Sequence, residues 1–386
     1  MTVLAVIFWL CVGLIVWAQL GYVLALALLS RLLGRPGSQA SATEQALPAM
    51  SLIVAAHDEQ EVIEAKVHNA LALDYPRERL EVIVACDGCE DATAQRAREA
   101  GADLVLELPR GGKIRAQDAA VERARGEIVA FSDANAQWQP SAARELAAAF
   151  TDPRVGYACG QVRFVQAVKG PGGSNQEGLY WRYEMFVRMC ESRLSSVTAG
   201  NGAIYATRRD AYIVVDPVMG HDLSLPFNMV KRGLRAVYVP AAQASEKMVP
   251  TIEGEFARKR RMMSHTWPIL LRGGMLSPRG YPPGYAAMIF SHRVLRYASP
   301  GLHAIALVTN AALVAGSHGS ARTLYVVLLA AQLALLACAA LAGALRLRPF
   351  LIARYYVLTT ASPAAGLWDW LRHGTEASWE AAEGTR

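Results

Sequence analysis

The chain has 386 residues, of which 53% are hydrophobic and only 19% charged, and it carries a formal net charge of +6. That balance excludes an ordinary soluble protein, a disordered chain, a collagen and a small disulfide scaffold, and it requires lipid to cover part of the apolar excess. The basic residues cluster beside the apolar runs, where anionic headgroups account for them, so nucleic acid is not an expected partner.

Val3 to Leu29 carries no charged residue and is longer than the roughly 20 residues a helix needs to cross a hydrocarbon core. It lacks a basic start and a small-residue cleavage site, so residues 1–33 are predicted as a retained anchor. Arg31 and Arg35 follow, and the positive-inside rule places them and the next domain in the cytoplasm. A Gly/Ser/Ala/Pro linker is expected at 34–48, before a domain at 49–272.

From Ser51 the pattern becomes short β-rich runs alternating with Ala-rich helical stretches. Strands are predicted at 51–56, 81–85, 104–106 and 127–131, with helices at 61–73, 92–100 and 113–125. That order implies a parallel, nucleotide-binding α/β sheet whose ligand sits beyond the carboxyl ends of its strands. Three of those ends carry polar clusters: His57-Asp58-Glu59 after Ala55-Ala56, Asp87-Gly88-Cys89-Glu90-Asp91, and Asp133-Ala134-Asn135. Carboxylates repeated along one edge repel one another unless they meet a metal ion or a ribose and base, although Asp and Gly also end strands simply as turn residues. Gly111-Gly112-Lys113 opens a helix where backbone N–H groups and an ammonium can face phosphate. The six cysteines are scattered, as suits reduced residues, and the Cys86-x-x-Cys89 pair lacks further metal ligands nearby.

Beyond Trp267 the chain returns to lipid. Residues 273–300 are expected as an interfacial amphipathic segment, because His292, Arg293 and Arg296 interrupt apolar residues. Residues 301–372 form the expected C-terminal membrane region, with a hairpin of 301–316 and 323–345. The stretch 350–371 reads equally as a span or an interfacial helix, and 373–386 as a tail. Arg outnumbers Lys 33 to 6, a bias that points to a GC-rich bacterial genome and so to the inner membrane.

In this order the motifs resemble those of family 2 glycosyltransferases with the GT-A fold, a Rossmann-like mixed sheet, here between N-terminal and C-terminal transmembrane helices. Ser51 to Glu59 is similar to the family's opening strand and turn, Val82 to Asp91 to its second acidic loop, Gly111-Gly112-Lys113 to its G-K, Asp133-Ala134-Asn135 to its D-x-D, and Gly220-His221-Asp222 to its E-D pair. The resemblance implies a nucleotide-sugar donor, UDP-linked in the commonest case, held by Ala55, His57, Glu59, Asp87, Lys113 and Asp133. It implies Mg²⁺ or Mn²⁺ at Asp133 and Asn135, Asp222 as the general base, and Gly202, His221, Arg258 and Arg261 on the acceptor and phosphate side. Transfer with inversion to a lipid-linked or cell-envelope saccharide follows from it.

Three departures carry information. Asn135 removes an acid from D-x-D, and His221 replaces the acid before Asp222, where a protonated imidazole would weaken the base and a neutral one could hydrogen-bond to acceptor or phosphate. Arg258 to Met262 aligns with Q-x-x-R-W of processive synthases; Met262 replaces the stacking Trp, which predicts addition of one or few sugars. Processive synthesis, a catalytically weak nucleotide-sugar-binding protein and a saccharide transporter are the alternatives. Tyr180, Trp181 and Tyr183 suit either sugar stacking or core packing, and the Gly-rich loop at 170–178 is a candidate lid.

Overall fold

A computed structural model describes residues 1–35, 47–165, 174–247, 252–345 and 347–377. The chain begins with helix α1 (Thr2–Val16), which passes through a π turn (Trp17–Gly21) into α2 (Tyr22–Leu33). The domain follows as β1 (Met50–Ala56), α3 (Ile63–Leu71), β2 (Leu80–Asp87), α4 (Thr93–Glu99), β3 (Leu104–Leu108), α5 (Lys113–Arg123) and β4 (Ile128–Asp133). Every residue of β1 and β2 is buried, because helices cover both sheet faces; their continuous apolar runs reflect that double cover. The four predicted strands and three predicted helices are all present, with ends shifted by a few residues.

The second half of the domain comprises β5 (Gln137–Trp138), α6 (Ala142–Ala149), β6 (Val155–Val165), α7 (Ser174–Leu194), β7 (Tyr205–Arg208), α8 (His221–Lys231) and β8 (Arg235–Lys247). These strands join the first four in one eight-stranded sheet of order β3-β2-β1-β4-β7-β6-β8-β5. The run β3-β2-β1-β4 is parallel, whereas β7 is antiparallel to both β4 and β6. The sheet is therefore mixed, and its strand direction changes beside β4, the kind of switch point at which open α/β sheets bind their ligands.

Then come α9 (Ile252–Leu271), α10 (Pro283–Met288), a second π turn (Ile289–Val294), α11 (Leu295–Gly316), α12 (Gly319–Leu345) and α13 (Arg348–His373). Among the described residues, three continuous helices, Thr2–Leu33, Pro283–Gly316 and Gly319–Leu345, are long and apolar enough to cross a membrane. They leave large apolar side chains exposed, such as Leu32, Val308 and Val327, a surface suited to lipid.

The interfacial segment expected up to residue 300 is corrected here: residues 283–316 form one helix, and His292 and Arg293 are buried in protein. Two acids on α7 draw these basic residues inward. His292 Nδ1 lies 2.7 Å from Glu191 Oε1, and Arg296 pairs with Glu184. Glu191 also accepts from Tyr22 Oη (2.8 Å) and from the Thr198 amide (3.0 Å), while Arg293 Nε donates to Thr198 Oγ1 (2.9 Å). Trp17 Nε1 donates to Ser291 Oγ (3.1 Å), so the two π turns meet.

The stretch 350–371, left open by its sequence, lies within α13, which packs along α9. Arg354 pairs with Glu253 (2.7 Å), Arg260 with Asp369 (2.5 Å), and Trp267 Nε1 donates to the Pro363 carbonyl (2.9 Å). Most of the expected linker, residues 166–173, which include the start of the lid expected at 170–178, and the tail from 378 lie outside the described residues.

Candidate active site

The first two strand ends are fastened to each other. The His57 ring (Nδ1) is 2.8 Å from the Asp87 carbonyl oxygen, and the amide of the buried Glu59 donates to Thr93 Oγ1 (2.8 Å). Asp87 is itself buried, and its carboxylate accepts from the amides of Gly111 (2.7 Å) and Gly112 (3.0 Å). Asp87 therefore shapes the glycine loop ahead of α5. Gly112 takes φ +95°, a region that disfavours side chains, and an added Cβ would lie 2.1 Å from the Ala377 carbonyl oxygen. The chain leaving α13 thus passes over this loop.

Lys113, the first residue of α5, directs its Nζ to Asp133 Oδ1 at the end of β4. Burial acts to lower the Lys113 pKa, but Asp133, Asp222 and Glu246 outweigh it, and the net shift is upward. Gly202 lies alongside: a Cβ there would be 3.5 Å from Lys113 Nζ and 3.9 Å from Asp133 Oδ2. Its place is thus beside the Lys113–Asp133 pair. Asn135 is partly buried in the turn after β4, and the next carbonyl, Ala136, accepts from Lys66 Nζ (2.7 Å). Lys66 is wholly buried, over the Trp138 ring, and burial lowers its pKa to about 7.

Asp222 lies in the first turn of α8, where the helix dipole favours a carboxylate, and its carbonyl accepts from the Gly200 amide (2.6 Å). The preceding His221 differs from expectation. It is buried, with Nδ1 2.9 Å from Tyr205 Oη and Nε2 3.2 Å from Tyr212 Oη, and so has no acceptor-facing surface. Tyr212 donates its own proton to Asp118 (2.6 Å), which leaves its oxygen to accept from Nε2–H. Burial first, and then the Lys113 charge, lower the His221 pKa to about 3. The ring is neutral at physiological pH and does not weaken Asp222 electrostatically.

Arg258 binds Glu255 through two 2.8 Å hydrogen bonds, and Arg261 and Met262 are exposed on α9. Near the outer rim, His57, Asp58 and Cys89 each place a potential ligand atom within 4.8 Å of the others, and an acidic hollow of about 340 Å³ opens beside Asp58 and Asp91. Cys89 Sγ donates to the Ala56 carbonyl (3.5 Å), which helps close that rim.

Sequence reasoning missed Glu246, Lys66 and Glu191. Glu246 is an isolated acid ending the small-residue run from Ala241, and that isolation is the signal that marks it. Lys66 and Glu191 lie in ordinary helical sequence, and nothing local distinguishes them.

A mixed sheet with a Lys–Asp pair and a helix-starting Asp near its carboxyl edge, joined to apolar helices, defines a membrane-type nucleotide-binding α/β domain. Residues 48–264 match the family described as glycosyltransferase like family 2, and the chain belongs to that family. The fold is similar to that of the mannosyltransferase PcManGT from Pyrobaculum calidifontis, solved with GDP-Man and Mn²⁺; the TM-score is 0.70 at 23% identity, over 95% of this chain and 99% of that one. Glycosyltransferase AglE of Haloferax volcanii is 24% identical over 184 residues, 46% of this chain; the match spans 58% of that relative's length.

Proposed function

We propose that this protein transfers a sugar, in one displacement with inversion, from a nucleotide sugar to a lipid-linked or cell-envelope saccharide at the cytoplasmic face of the membrane. The observation that carries the reading is the joint placement of Lys113, Gly202 and Asp133 at the end of β4, with Asp222 close enough to act on the Lys113 charge. In that arrangement Lys113 meets the donor phosphates and Asp133 the sugar-diphosphate end. His57, Glu59 and the loop shaped by Asp87 border the nucleoside. Gly202 leaves room for the transferred sugar. Asp222 takes the proton from the acceptor hydroxyl, and a neutral His221 locked between two tyrosines fixes the helix start that carries it.

A divalent cation fits the donor set, since the Asp133 carboxylate and the Asn135 amide oxygen are hard ligands and Asp133 already faces the cationic Lys113. When bound, Mg²⁺ or Mn²⁺ stabilises charge on the departing nucleoside diphosphate. The buried ties between α2, α7 and the second π turn hold the domain against the apolar helices, which supports an acceptor presented from lipid. Met262, exposed in place of an aromatic platform, supports addition of one or few sugars. Long polymer made from one donor by the purified protein would overturn that part.

The test is Asp222→Asn assayed with GDP- and UDP-hexoses. Loss of turnover by roughly 10³-fold or more, with donor binding kept, is expected of a general base inside an electrostatically organised site. Unchanged turnover would remove Asp222 from the role.

A further inference from the structure

The turn after β4 carries one acid where a metal position of this kind usually offers two, because Asn135 is neutral. The pairing of β5 with β8 brings another acid to the same place. These strands are antiparallel, with Trp138 opposite Ala244 and Gln137 opposite Ser245. One further step in that register sets Glu246 across from Ala136, the residue after Asn135. Alternation along β8 puts Glu246 on the face of the buried Ala242 and Ala244, the face that packs with Trp138.

We infer that Glu246 supplies the anionic ligand that Asn135 lacks, so that Asp133, the Asn135 amide oxygen and the Glu246 carboxylate together hold the divalent ion of the donor diphosphate. The inference rests on the proposed donor site. Carboxylates gathered at one edge are relieved of their repulsion by a cation between them. Lys66 sits fully buried with its ammonium on the Ala136 carbonyl, and the Arg258 guanidinium is engaged by Glu255. Lys113 is the group that yields Asp133 when phosphate arrives. A separated acid from another strand also restores the charge count, which Asn135 alone leaves one short.

The test is Mn²⁺ binding to the full-length, detergent-purified protein, read from the electron paramagnetic resonance signal of free Mn²⁺ without any turnover. Glu246→Gln should weaken binding at least tenfold at an unchanged thermal midpoint. Asn135→Asp should tighten binding in the native background and restore it in the Asn135→Asp/Glu246→Gln double variant. Equal affinity of Glu246→Gln and the unaltered protein overturns the inference while leaving the proposed function standing. If the Gln variant does not fold, no tightening in Asn135→Asp overturns it instead. Nucleoside diphosphate binding without Mn²⁺ binding by the unaltered protein overturns the metal position as a whole, and absence of both overturns the donor site itself.

Discussion

The two halves of the domain are built on different scales. From β1 to β4 each functional side chain follows its own strand, and the contacts that set it are with the next strand or loop, as in the Asp87 carboxylate on Gly111 and Gly112. From β5 onward the decisive contacts join residues far apart: Glu191 meets Tyr22 and His292, and a two-residue strand pairs Gln137 with Ser245. The β1–β4 edge is thus a local construction, and the side facing the apolar helices is a tertiary one. The lesson is that damage should spread differently from the two halves.

The largest effect is expected from a substitution in the tertiary half. Glu191→Ala removes one of the two acids that face the buried His292 and Arg293, and removing one partner of such a network costs about 3–5 kcal/mol. We expect a large drop in thermal midpoint and detachment of α2 from α7, read by cross-linking between engineered cysteines; an unchanged midpoint would make the network dispensable. Acid provides a graded version. His221 has a folded pKa lowered to about 3, so its stabilising contribution is complete above the unfolded value near 6.5 and is lost as pH falls toward 3; between pH 8 and pH 5 the loss is about 2 kcal/mol. His221→Gln should flatten the midpoint across that window, and an equal slope in both proteins would assign the acid response elsewhere. The smallest effect is expected at the surface. Arg354→Ala removes an exposed pair with Glu253 worth about 0.2–1 kcal/mol, and a midpoint shift as large as that of Glu191→Ala would erase the distinction between the halves.

The same contrast explains what was legible in the sequence. The β1–β4 unit announces itself through apolar runs that end in His57, Asp87 and Asp133, and every one of those strands exists. Beyond β4, β5 and β7 are only two and four residues long, and the longer β6 and β8 pair through register shifts, so no comparable period is left. His292 and Arg293 looked like residues for lipid headgroups because a sequence shows their charge but not the acids on α7 that turn them inward. His221 looked like a site residue because it precedes Asp222; only the packing of Tyr205 and Tyr212 reveals it as a neutral strut.

The paired π turns have a consequence for inheritance. A π turn is an α-helix that has gained one residue, and a gain or loss of one residue rotates everything beyond it by about 100°. Trp17 and Ser291 touch where both insertions fall, so neither helix can shed its extra residue without turning half its length away from the other. Gaps in the two segments should therefore have been fixed or lost together, and a descendant missing only one would need a new seam between its membrane helices.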